Sequence, residues 1–395
     1  MRSPALRTVA LLGLVVGGLL PACGNGSEPA QGSGATTSST TTTTTPPADD
    51  PESAVAAALE SLDRRAEIAQ LFVVGLAPEE LDRGPDLAAE GVGGLFLRGR
   101  PEQSVTDLAG ITGGWQEQAP GPGLWIAADQ EGGSVQTLKG EGFEQLPPAT
   151  EQGDLPADQL RALADGMGAA LSAAGVNLNL APVVDVVPAG TEAGNEPIGY
   201  YDRQYGSTGG EVTAAASTVV DGLAAARVTA TLKHFPGLGR VRENTDTSAD
   251  VVDPVTTAGD DQVTAFAGTL TRTSAAHPMV MMSSATYPQI DPSAPAAFSP
   301  VVIGDLLRGR LAFAGPVISD DLGAAEALAA VPVGERAVRF LAAGGTLVLT
   351  VAVDTYAEML DAVEAEAESD PAFGEQVDAA VRTALLAKAH AGLLG

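Results

Sequence analysis

Apolar residues fall into eight short, nearly unbroken runs, at 71–75, 92–97, 124–128, 176–180, 228–232, 279–282, 316–319 and 347–351. A strand with one solvated face alternates apolar and polar residues. Runs such as Leu71-Phe72-Val73-Val74 and Leu347-Val348-Leu349 do not, and so predict strands covered on both faces. Helical segments are predicted at 54–70, 104–116, 156–174, 208–226, 258–270, 300–310, 323–342 and 355–394, where Ala, Leu, Glu and Arg dominate. Within 156–174, Asp158, Arg161 and Asp165 form a polar face opposite the stripe Leu160, Leu163, Met167 and Leu171. Eight alternations predict an α/β fold, a closed (β/α)8 TIM-like barrel of one domain, because closure leaves no edge strand to protect. A doubly wound sheet with a small appended unit is the alternative.

The chain before the first run has a different character. Arg2 and Arg7 precede an apolar stretch, 9–20, about as long as the apolar region of a signal peptide and shorter than a bilayer span. It ends in Leu20-Pro21-Ala22-Cys23, which resembles a bacterial lipoprotein processing box. The expected organisation is a lipoprotein signal peptide at 1–22, lipidation of Cys23, a disordered Thr/Ser/Pro-rich tether at 23–52, and a folded body at 53–395. The tether lacks the apolar area that would offset the entropy of ordering it. The protein is therefore expected outside the cytoplasm, anchored to the cell membrane through the lipid. Cys23 is the only cysteine, so no internal disulfide can form.

Composition narrows the chemistry. With 21 basic against 50 acidic side chains and a formal net charge of -29, the chain would repel nucleic acid, and that partner is excluded. Lysine occurs only at 139, 233 and 388, and histidine only at 234, 277 and 390. Lys233-His234 at the end of the fifth run therefore stands out, although a core pair bound to strand carbonyls would look the same.

In a barrel the chemistry sits at the C-terminal strand ends. There the sequence places Arg98 and Arg100, Asp129-Gln130-Glu131-Gly132-Gly133, Asn179 with Asp185, Lys233 to Gly239, and Ser319-Asp320-Asp321. Gly132-Gly133 lets backbone approach a ligand. Gly237-Leu238-Gly239 lacks the third glycine of a dinucleotide fingerprint, the histidines are not spaced as zinc ligands, and Ser283-Ser284 lacks the glycines of a nucleophile elbow. No metal and no cofactor are expected. Asp320 and Asp129 facing one space, with Lys233, His234 and Arg203 as donors, suit glycosidic cleavage. A sugar isomerase or an aldolase would also use acids at strand ends, and an amidohydrolase is disfavoured only by the missing metal ligands.

Larger motifs narrow this choice. Ile68 to Gly75, Gly91 to Leu95, Asp129 to Gln136, Asn179 to Val186, Ile198-Gly199 with Arg203 to Gly206, Lys233 to Gly239, and Ile318 to Gly323 together resemble glycoside hydrolase family 3. The similarity is to its bacterial β-N-acetylglucosaminidases (β-hexosaminidases), and within them to an actinobacterial lipoprotein branch. The resemblance implies a retaining exo-β-N-acetylglucosaminidase, with Asp320 as nucleophile and Asp321 orienting its loop. Asp129, Arg203, Lys233 and His234 match substrate-contacting positions. The implied substrate is an N-acetylglucosamine-containing fragment of peptidoglycan.

One loop departs from that pattern. The family usually has Asp-Ser-His after the fifth strand, with the histidine protonating the leaving oxygen. Here Asp246 matches the aspartate and Ser248 stands at the histidine position, with Ala285 near a second position often held by histidine. A serine hydroxyl is a poor proton donor at neutral pH. The acid/base is then Asp246, Glu243 or Asp250, or it is missing. Asp246 is favoured, because a partly desolvated acid near Asp320 would have a raised pKa. The alternatives are a catalytically weak glycan- or protein-binding lipoprotein, a β-glucosidase, or a phosphorylase using Arg240 or Arg242.

Overall fold

The computed structural model describes residues 50–394. All eight apolar runs form parallel strands: β1 Phe72–Leu76, β2 Gly94–Leu97, β3 Trp125–Ala128, β4 Leu178–Asn179, β5 Thr229–Phe235, β6 Met279–Met282, β7 Val317–Ser319 and β8 Val348–Thr350. They neighbour one another in chain order, and β1 also pairs with β8, Phe72 opposite Val348. The last seam, β7 to β8, is held by a parallel bridge between Ile318 and Leu347, with the Ser319 amide 2.9 Å from the Leu347 carbonyl. The sheet thereby closes into the expected (β/α)8 barrel. Nearly every strand side chain is buried, the interior face by opposing strands and the outer face by helices, which is why the runs lack alternation.

The helices follow the sequence where caps are clear. Ser104 caps Val105–Gln118 and Thr208 caps Gly209–Ala225, each through a reciprocal capping box. In Ala157–Ala173, Leu160, Met167 and Leu171 are buried while Arg161 and Asp165 pair at 2.7 Å on the outer face.

Three predicted helices are broken. The first, 54–70, is Pro51–Ser61 and Arg64–Ala69, because Asp63 accepts the Ala66 amide at 2.9 Å and starts a new helix. The last, 355–394, breaks at Asp370-Pro371, where the proline has no amide to continue the ladder. Of 323–342 only Val333–Ala342 is α-helical. The preceding stretch is a loop with a 3-10 turn at Glu326–Leu328, and it borders the cleft described below. Two further differences are local: 301–310 winds as a π-helix, and Gly84–Ala89, after a 3-10 turn, supplies a helix after β1 that periodicity did not show.

Order begins slightly before the expected body. Asp50 caps the helix Pro51–Ser61, so residues 51 and 52 belong to the fold and not to the tether. The leader, Cys23 and the tether up to residue 49 lie outside the described residues. Among the described residues no helix is long and apolar enough to cross a membrane.

Candidate active site

The loops at the C-terminal strand ends surround a cleft of about 360 Å³ whose walls include Asp129, Arg203, Lys233, His234, Asp246, Asp320 and Asp321. Lys233 and His234 are consecutive, and consecutive residues of a regular strand face opposite ways. Both reach the cleft because the register of β5 on β6 shifts between Leu232 and Phe235, an irregularity of the kind that re-aims side chains at barrel rims.

At one end of the cleft four charges interlock. Lys233 Nζ lies 2.6 Å from Asp129 Oδ1 and 2.6 Å from Glu131 Oε1. Arg203 grips Glu131 with two parallel bonds, Nε to Oε2 at 2.9 Å and Nη2 to Oε1 at 2.7 Å, and donates Nη1 to the Pro197 carbonyl at 2.7 Å. Burial pushes the Glu131 pKa up, but the charges and hydrogen bonds of Arg203 and Lys233 outweigh it and hold the carboxyl at about 2. Burial likewise works to lower the Lys233 pKa, and Asp129 and Glu131 more than reverse it, so the ammonium stays charged.

The loop carrying Arg203 is fixed by Asn195. Its amide nitrogen donates to the Leu238 and Val241 carbonyls at 2.8 and 2.7 Å, and its oxygen accepts the Gly199 amide at 2.7 Å. These bonds join the loops after β4 and β5. Fully buried Asp185 does the same for His234. Oδ2 takes Nδ1 of the ring at 2.7 Å, while Oδ1 accepts the His234 and Leu238 amides at 3.1 and 2.7 Å. With Nδ1 committed, Nε2 is the ring nitrogen free for a ligand.

A further part of the wall is built by the loops after β5 and β7. Asp321 accepts three backbone amides, from Gly323 and Ala324 at 2.8 Å and Val351 at 2.9 Å, and its own amide donates to Asp320 Oδ1 at 2.9 Å. Burial still leaves its pKa raised. The 3-10 turn Glu326–Leu328 docks on the β5 loop, the Glu326 and Ala327 amides meeting the Asp246 and Thr245 carbonyls at 3.3 and 3.1 Å. Asp246 is exposed as a residue, while its carboxyl lines the cleft among neighbouring groups that crowd it. Burial first, then the nearby Asp320 charge, raise its pKa to about 6 against the opposing pull of His234 and Arg203.

The other candidate acids are absent from these walls. Glu243 and Asp250 are exposed outside them, and Ser248 also lies outside them, its backbone amide donating to the Asn244 carbonyl at 2.9 Å. Arg240 is tied to Asp260 at 2.5 Å, and Arg242 is exposed, so neither of these two arginines is poised for an anion in the cleft. Ala285 is buried in the core. Gly132 and Gly133 do meet a backbone closely, but it is the chain's own. With φ of +107°, Gly132 would place a Cβ 2.3 Å from the Pro147 carbonyl oxygen. Arg100 braces the same hairpin, donating to the Gln136 and Ser134 carbonyls.

Sequence reading did not assign roles to Glu131, Asp185 or Asn195. The first two were visible as acids in apolar surroundings at strand ends, where a buried charge needs partners. Asn195 gave no signal, since a lone asparagine in a Gly/Pro-rich loop is ordinary.

Comparison with known proteins agrees with this geometry. The sequence model described as "Glycosyl hydrolase family 3 N terminal domain" matches residues 64–385. A protein named "Beta-hexosaminidase" from Stenotrophomonas maltophilia is 37% identical over 308 residues, 74% of this chain and 87% of that one. The crystal structure of a β-N-acetylhexosaminidase from Beutenbergia cavernae superposes with a TM-score of 0.78 at 44% identity, covering 83% of this chain and 98% of that one. A glycosyl hydrolase of the GH3 family from Mycobacterium smegmatis superposes with a TM-score of 0.73 at 28% identity, covering 85% and 98%.

Proposed function

The chain belongs to glycosyl hydrolase family 3, and from that premise we propose that it is a retaining exo-β-N-acetylglucosaminidase in which Asp320 is the nucleophile and Asp246 the acid/base. The observation that carries the reading is that two carboxylates, Asp320 and Asp246, line one cleft and that the pKa of Asp246 is raised there. Asp246, at about 6, still carries a proton to give on the acid side of neutral pH, and burial first, then the charge of Asp320, are the causes.

In the first step the Asp320 carboxylate attacks the anomeric carbon, the bond to the leaving oxygen breaks, and the Asp246 proton moves to that oxygen. In the second, water attacks the same carbon, Asp246 takes its proton, and Asp320 is released. Asp129, Arg203, Lys233 and His234 grip the sugar hydroxyls at the other end of the cleft. Hydrogen bonds there that tighten in the transition state lower the barrier. Asp321, through its three backbone bonds, holds the loop that presents Asp320.

The natural substrate in this reading is an N-acetylglucosamine-containing wall fragment, met outside the membrane by the folded body that begins with the helix Pro51–Ser61, tethered by the Thr/Ser/Pro-rich stretch before it and lipidated at Cys23 after loss of 1–22. The motifs at 20–23 and the Thr/Ser/Pro composition support that placement. Ser248 at the usual histidine position favours a second reading, a catalytically weak barrel that binds wall glycan or a protein. Hydrolysis of an aryl β-N-acetylglucosaminide and of the N-acetylglucosamine β-1,4 disaccharide separates the two. Release of N-acetylglucosamine from both supports the enzyme, and binding without release supports the weak barrel.

A further inference from the structure

We propose that Glu131 is a positioning residue for substrate: it stands behind the sugar-binding wall and aims the donors of Lys233 and Arg203 into the cleft. The inference rests on the glycosidase reading and extends it to a residue that does not itself line the cleft.

The argument is a count of donors. An ammonium has three N–H groups. Those of Lys233 meet Asp129 and Glu131, which leaves one for a ligand. A guanidinium has five. Arg203 commits Nε and one Nη2 hydrogen to Glu131 and one Nη1 hydrogen to Pro197, which leaves one on each terminal nitrogen. Glu131 takes the rear-facing donors of both cations, and its 4% side-chain exposure keeps it from competing with a sugar at the front. Among the described residues Asp129 Oδ2 has no hydrogen-bond partner, so the wall presents an acceptor beside the remaining donors, the pattern that a vicinal diol requires.

Charge gives the same assignment. Asp129 and Glu131 balance Lys233 and Arg203, so the cluster is neutral as a whole. Without Glu131 it carries an excess positive charge in a buried place. The groups facing Asp246 are Asp320 and Asp321 from the β7 loop, His234 from β5 and Arg203 from the β4 loop. An uncompensated Arg203 would favour ionised Asp246 and take away its proton at a lower pH.

The test uses the full chain with Glu131→Gln and Glu131→Asp, an aryl β-N-acetylglucosaminide and the disaccharide, across pH 4.5–8.5. Glu131→Gln is expected to raise KM roughly tenfold or more while kcat on the aryl substrate changes less than about threefold. On the disaccharide its alkaline limb should move about half a unit or more toward acid. Glu131→Asp keeps the charge, so its limb should stay at the wild-type pH even if KM rises. Unchanged KM and limb in Glu131→Gln overturns the proposal. So does a matched loss of kcat and thermal stability in both variants with no movement of KM or limb. Should Glu131→Gln not fold, Glu131→Asp decides alone: higher KM with kcat retained supports the role, and lower kcat with KM unchanged overturns it. A wild type inactive on both substrates overturns the glycosidase reading and this inference together, whereas an active wild type with silent Glu131 variants overturns this inference only.

Discussion

Asp246 is held near Asp320 by backbone and not by a side-chain bond: the turn that follows Asp320 returns at Glu326 to donate its amide to the Asp246 carbonyl at 3.3 Å. The two loops thus form one unit. A carboxylate on the β5 loop is thereby kept within electrostatic reach of one on β7, and its raised pKa follows from that and from the crowding around it.

The first consequence concerns kinetics. Asp320→Asn should lower kcat by ~10⁴-fold or more on every substrate, since the proposed mechanism assigns the covalent bond to Asp320 alone. Asp246→Asn should separate substrates. An aryl leaving group departs with little help and should be turned over within about tenfold of wild type, while the disaccharide should lose ~10²-fold or more. Steady-state rates on both substrates check this, and equal losses for the two substrates would disprove the acid assignment.

The pH profile follows from the same group. In the proposed mechanism protonated Asp246 is the active form in the first step, so disaccharide turnover should fall as pH rises past about 6. Its folded pKa lies above the unfolded 3.8, so the folded state binds more protons between the two values and stability drops as pH rises through that window. Asp246→Asn, which carries no charge, should therefore melt higher than wild type at pH 7 and equal to it below about pH 4. Melting curves at the two pH values test this, and an advantage that is the same at both would contradict it.

Asp321 should behave as a structural neighbour. Replacing it by Ala leaves three amides, of Gly323, Ala324 and Val351, without their acceptor. The expected cost is ~2–4 kcal/mol of stability, with kcat reduced because the Asp320 loop loosens. Denaturant unfolding measures the first, and a change below about 0.5 kcal/mol would show that the bonds are replaceable.

Far from the cleft, Lys388 is fully buried on the last helix with its ammonium 2.6 Å from the Gln70 side-chain oxygen. Burial lowers its pKa to about 7 from 10.5. The folded state binds fewer protons between those values, so stability rises with pH across the window and the cost of the buried charge is fully present below it. Lys388→Met should therefore differ from wild type most in the stabilising direction at pH 6 and least at pH 10. A difference independent of pH would refute the buried-charge account.

Much of this was legible in the chain. The eight strands were, because burial on both faces writes itself as unbroken apolar runs, as in Leu71 to Val74. Asp129, Lys233, His234 and Asp320 were, because strand ends in a barrel converge. The helix breaks at Asp63 and Asp370 were written as caps but hidden by helix-forming neighbours on both sides. Glu131 and Asn195 were not legible as partners. Glu131 acts through groups far along the chain, 72 residues away in the case of Arg203, and Asn195 through carbonyls 43 and 46 residues away. Such pairings exist only once the loops have met.

The most direct test of the central claim is covalent trapping. A fluorinated N-acetylglucosaminyl fluoride that forms but slowly releases the glycosyl-enzyme should inactivate the protein. Mass spectrometry of the digested chain should then place the sugar on the peptide containing Asp320. Label on any other carboxylate, or full turnover with no covalent adduct, would contradict the account.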